Sequence, residues 1–103
     1  MTNEALLVQL AKKYPDVVKA AIITSIENKI EHLERELNEI KKKIYRLEEE
    51  HKMKLEHFEK TMGDSFEEHE IWFEWKSLVE LKENIEEELR ELRKTLKEII
   101  KEI

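Results

Sequence analysis

The chain has 103 residues, 43% of them charged, with a net charge of −6, one glycine, one proline and no cysteine. That length holds one domain at most, and the missing cysteine excludes disulfides, thiolate metal sites and thiol nucleophiles. The acidic balance argues against nonspecific DNA binding as the main task and favours a basic partner or simple solubility.

Glu and Lys dominate and an apolar repeat runs through most of the chain, a composition of long helices or coiled coil rather than disorder. The abundance of Glu and Lys and the scarcity of amides also fit a thermophile. No basic stretch followed by an apolar run opens the chain, as a signal peptide would require. The longest apolar-rich stretch, Val17 to Ile26, contains Lys19 and is too short to span a bilayer. The expected location is cytoplasmic.

In chain order, residues 1–14 are expected to form a short helix capped by Thr2 or Asn3. Leu6, Leu7, Leu10 and Ala11 give it one apolar side, flanked by Val8 and Tyr14. Pro15 pushes Tyr14 out of the α region and suits the first position of a second helix, with Asp16 placed well for the helix dipole. That helix, 15–62, opens apolar almost all round at Val17, Val18, Ala20, Ala21, Ile22, Ile23 and Ile26. A helix start of this kind is buried on several sides. The first helix covers one side, and Val17, Val18, Ala21 and Ile22 are candidates for self-association.

From Ile23 a heptad seam runs through Ile26, Ile30, Leu33, Leu37, Ile40, Ile44 and Leu47. It then meets polar His51 and Lys54 before resuming with Leu55, Phe58 and Met62, so a break or kink is expected near 51–54. Gly63 is suited to the left-handed position that ends a helix. A tip over 63–69 follows, where Ser65-x-x-Glu68 and Asp64-x-x-Glu67 both fit a capping box. The last helix, 70–103, carries Ile71, Trp75, Leu78, Ile85, Leu89, Leu92, Leu96, Ile99 and Ile103 on its seam, with Lys82 as the polar exception. Ile23 and Ile103 lie equally far from Gly63, so folding there brings them to the same end. The fold class is therefore all-α: a short N-terminal helix plus a long antiparallel coiled-coil hairpin. One hairpin buries little surface, so association into a dimer or higher oligomer, a helical bundle, is expected.

Aromatic residues concentrate at the bend. Phe58, Phe66, Trp72, Phe73 and Trp75 fall within one short stretch, and Trp72, Phe73 and Trp75 cannot all face one helical seam. They form either an aromatic plug or a surface with outward anchors, and Phe66, Trp72, Phe73 and Trp75 are the candidates for partner binding. His51, His57 and His69 lie nearby, but no pair has the i, i+4 spacing that sets two imidazoles on one helical face. No metal, cofactor or catalytic residue is assigned, a single glycine leaves no phosphate loop, and no enzyme activity is expected. The basic run Lys41, Lys42, Lys43 and Arg46 reads as a solvated face pairing with Glu36, Glu39, Glu48, Glu49 and Glu50, or as a track for a nucleic-acid backbone.

Met53-Lys54-Leu55-Glu56-His57-Phe58-Glu59-Lys60, then Asp64-Ser65-Phe66-Glu67-Glu68-His69-Glu70, then Phe73-Glu74-Trp75 together resemble a pattern in short helical proteins of archaea and cyanobacteria. The likeness covers about half the chain, and Lys52 stands where that pattern carries a glycine. Such proteins look antitoxin-like, and the resemblance implies pairing with a small basic, nuclease-type toxin. It carries over no catalytic residue. The expected function is thus a non-enzymatic protein-interaction module, antitoxin-like. The alternatives are a structural or chaperone-like coiled-coil adaptor resembling prefoldin, and an RNA-binding helical arm using Lys41 to Arg46.

Overall fold

The computed structural model describes residues 3–101 as four helices: α1 (Asn3–Lys13), α2 (Pro15–His51), α3 (Leu55–Thr61) and α4 (Phe66–Lys101). Thr2 and Ile103 lie outside the described residues. The long helices α2 and α4 pack antiparallel as an extended hairpin, as the heptads require, in a molecule of 63 × 29 × 17 Å.

Periodicity accounts for the arms. Leu33, Leu37 and Ile40 of α2 meet Ile85 and Leu89 of α4 in a buried cluster, with Ile30, Ile44, Leu78 and Leu92 at its edges. Leu37 and Leu89 stand at the same distance in sequence from Gly63, so the two arms are in mirror register. The Arg93 guanidinium donates to Glu34 Oε1 at 2.8 Å from one arm to the other, one residue off that mirror position. Both side chains are half exposed, so the pair marks the register more than it stabilises it.

The turn between the arms is a small folded unit. α2 stops at His51 because Lys52 adopts φ 56°, ψ 36°. The Lys52 and Met53 N–H groups both bond to the carbonyl of Glu48, the latter at 3.2 Å, which satisfies an end-of-helix acceptor in the Schellman manner. Lys54, in extended backbone, restarts the chain as α3.

The left-handed position expected at Gly63 is therefore at Lys52 instead, and Gly63 has no positive φ. α3 leaves through an extended Met62 (φ −65°, ψ 147°), which needs no left-handed residue. Gly63 matters through close approach. A Cβ there would stand 2.9 Å from Glu68 Oε1.

The last helix begins at Phe66, a turn before the Glu70 start expected from sequence. Of the two capping boxes, Ser65-x-x-Glu68 forms. Ser65 Oγ accepts the Glu68 N–H at 3.2 Å and donates to Glu68 Oε1 at 2.8 Å. The same carboxylate accepts the Gly63 N–H at 2.6 Å. One side chain thereby ties the turn to the helix start.

At the other end of α2, Pro15 has no N–H to continue the helix, and Tyr14 (φ −132°, ψ 62°) forms an elbow. α1 leaves α2 there, makes few contacts with it and buries none of its residues.

Candidate functional site

The tip is built from the end of α2, α3, the 62–65 turn and the first turns of α4. Its core is Leu47, Phe58 and Trp75, with Met53, Leu55, Met62, Ile71 and Val79 packed around them. Trp75 is fully buried. Its ring lies 5.4 Å from that of Phe58 and stacks at 5.5 Å on His51, the polar residue that interrupted the seam. His51 also faces Phe58 at 5.2 Å. The flat imidazole thus serves as part of the aromatic plug rather than as a wet gap. The Trp75 indole N–H finds no hydrogen-bond partner among the described residues. Leaving it unpaired costs free energy that the large buried ring area offsets.

The four candidate anchors consequently separate. Trp75 is core and lies out of a partner's reach, which corrects its assignment as an outward anchor. Trp72 is half-buried against the same core. Its indole N–H donates to Glu59 Oε2 at 3.0 Å, Lys76 sits 5.9 Å over its ring, and Lys76 pairs with Glu59 at 3.6 Å. The bond from Trp72, followed by the charge of Lys76, holds the Glu59 carboxyl below its ordinary value. Trp72 is therefore a strut joining α3 to α4, with one face at the surface.

Phe66 and Phe73 point outward, 76% and 68% exposed. They are seven residues apart on one helix, so they share a stripe. His69, Glu70 and Glu74 line that stripe with them around a shallow concavity of about 550 Å³. Glu67, Glu70 and Glu74 form no ion pair among the described residues. Two large apolar rings set among unpaired carboxylates favour a partner that is both cationic and amphipathic: the rings supply desolvation and the acids supply charge complementarity. Phe66 and Phe73 lie off the α4 register of Ile71, Trp75 and Leu78, but that period alone does not say whether α3 or the turn covers them.

The basic run lies elsewhere, on the side of the hairpin. Lys41, Lys42 and Arg46 line a concavity of about 860 Å³ with Lys82 of α4, Lys54 and an exposed Tyr45. Of the salt bridges expected for this run, Lys42–Glu39 forms, at 3.4 Å, while Glu48 pairs with Lys54 at 3.0 Å. The polar seam residue Lys82 thus turns sideways into this basic hollow. Among the described residues no group of three or more His, Asp or Glu is arranged to hold a metal ion, and no helix is long and apolar enough to cross a membrane.

The self-association candidates Val17, Val18, Ala21 and Ile22 all line a third concavity, in the elbow between α1 and α2, of about 750 Å³. Leu7, Val8, Leu10, Ala11 and Tyr14 form its opposite wall.

No protein-family model matches the chain, no curated protein matches it, and no solved structure matches it.

Proposed function

We propose that this chain is a non-enzymatic protein-interaction module that binds a small basic protein at its tip and a second copy of itself at the opposite end. The observation that carries the first half is the exposed pair Phe66 and Phe73 set among the unpaired Glu67, Glu70 and Glu74. Helical arms hold that surface on a rigid, well-packed base, which limits the ordering cost of binding. A small nuclease-type toxin, basic because it binds nucleic acid, has the matching charge, so an antitoxin-like role agrees with the tip's chemistry.

The test is tagged capture from the native host beside a Phe66→Ser/Phe73→Ser variant. The wild type retains a small basic protein and the variant loses it, with helicity by circular dichroism unchanged in both. Equal retention by both chains would remove the tip from the binding surface. A structural or chaperone-like adaptor would instead suppress aggregation of unrelated unfolded proteins, with or without the two phenylalanines.

A second reading rests on the basic hollow of Lys41, Lys42, Arg46, Lys54 and Lys82 around exposed Tyr45. Cations around an aromatic ring are what single-stranded RNA uses for its phosphates and a stacked base. That reading requires salt-sensitive RNA binding that weakens when Lys41 and Lys42 are neutralised. The net charge of −6 works against it.

A further inference from the structure

We propose that the apolar elbow between α1 and α2 is occupied by a second copy of this chain, related by a two-fold axis that sets the two α1 helices antiparallel. The inference deepens the self-association half of the proposed function by naming the surface, the partner's geometry and the groups that fix it.

α1 has 11 residues and no buried side chain. A helix of that length is marginal on its own in water and depends on burying an apolar face. The described residues do not supply that burial. Leu7, Val8, Leu10, Tyr14, Val17 and Ile22 remain between 39% and 67% exposed around the elbow. They line one concavity with Ala11, Val18, Ala21 and Ile26, an apolar patch that is contiguous rather than scattered and so marks a contact surface.

Charge selects the occupant. Up to Ile26 the charged residues are Glu4, Lys12, Lys13, Asp16 and Lys19, a net of +1, in a chain whose total is −6. Interface cores are depleted of charge in this way. Two copies that repel one another through their acidic tips and arms can meet here without like-charge opposition. The elbow also lies at the far end of a 63 Å molecule from the tip.

A two-fold interface must complement itself. α1 carries Glu4 in its first turn and Lys12 and Lys13 in its last. Antiparallel pairing of two α1 helices sets the acidic first turn of each copy against the basic last turn of the other, with Leu7 and Leu10 between. Parallel pairing would set Glu4 on Glu4 and lysine on lysine. The resulting dimer buries the elbow and directs its two tips away from each other, so both remain free to bind.

Sedimentation equilibrium on the full chain, from micromolar to millimolar, tests this. The wild type should show twice the chain mass of 12.5 kDa. Leu7→Glu and Val17→Glu, at positions more than half exposed within the chain, should each give the single-chain mass with the α2–α4 hairpin still helical by circular dichroism. Glu4→Lys should raise the dimer dissociation constant several-fold, because two ion pairs are replaced by repulsions, and adding Lys12→Glu and Lys13→Glu should restore it. A wild type that is monomeric throughout, or a dimer that survives both glutamates, would overturn the proposal. Failure of the charge swap to restore affinity would overturn the antiparallel arrangement. Phe66→Ser/Phe73→Ser serves as the control: it should leave the mass unchanged, so loss of the basic partner and loss of the dimer are read separately.

Discussion

Single residues at the bend act through backbone geometry and one carboxylate. Lys52 holds a left-handed conformation that costs a residue with a Cβ about 1–2 kcal/mol. Lys52→Gly removes that strain and forfeits an exposed pair with Glu49 at 3.7 Å that is worth little. It should therefore raise stability by about 1 kcal/mol, read as a higher urea midpoint with an unchanged slope. Gly63 is the opposite case. Its φ is ordinary, but an added Cβ displaces Glu68 from the Gly63 N–H and from Ser65. Gly63→Ala should lower the thermal midpoint by a few degrees by loosening the start of α4. The Gly63 N–H, followed by Ser65, holds the Glu68 carboxyl below its ordinary value of 4.5. A carboxylate with a lowered folded pKa contributes stability that is present above the unfolded value and lost as pH falls through the folded one. Acid should thus begin to destabilise the tip below about pH 4.5, and Glu68→Gln should flatten that dependence in a circular dichroism titration.

Among the elements, the tip and the arms obey different rules. The arms repeat one contact, so Leu33, Leu37, Ile40, Ile85 and Leu89 are interior by period alone. At the tip three elements converge and the period no longer decides which aromatic goes inside. Trp75 shares the α4 register with Leu78 and is enclosed. Phe73, two residues before it, faces solvent, and Trp72 lies between, bonded to Glu59. Trp75→Ala should remove the plug shared by α2, α3 and α4 and cost about 3–5 kcal/mol, seen as loss of near-ultraviolet dichroism and a lower unfolding midpoint. Phe66→Ser and Phe73→Ser should leave both signals nearly unchanged, because neither ring contributes to the core.

The whole molecule is a rod with chemically distinct ends. One end is acidic and aromatic on a packed base; the other is nearly neutral, apolar and built on an unsupported short helix. Binding that couples to folding makes stability depend on chain concentration. If the elbow is an interface, the melting temperature should rise with protein concentration in the wild type and become independent of it in Val17→Glu. Salt should act differently at the two ends. It should weaken capture of a basic partner through screening while leaving the largely apolar elbow contact intact.

The sequence by itself determined the all-α class, the antiparallel hairpin and its register, because heptad periodicity is a local property written at every turn of a helix. It also located the weak point after Leu47, since His51 and Lys54 break that period. It did not determine which residue would take the left-handed backbone. The two helix ends differ: α2 stops through left-handed Lys52, whereas α3 leaves through extended Met62, so Gly63 needs no left-handed backbone. Nor could it divide the aromatic cluster into plug and surface. Only the packing of α3 against α4 at the end of the arms decided that Trp75 is enclosed, Trp72 tethered and Phe66 and Phe73 free, because enclosure depends on three elements meeting in space and no single helical period encodes it.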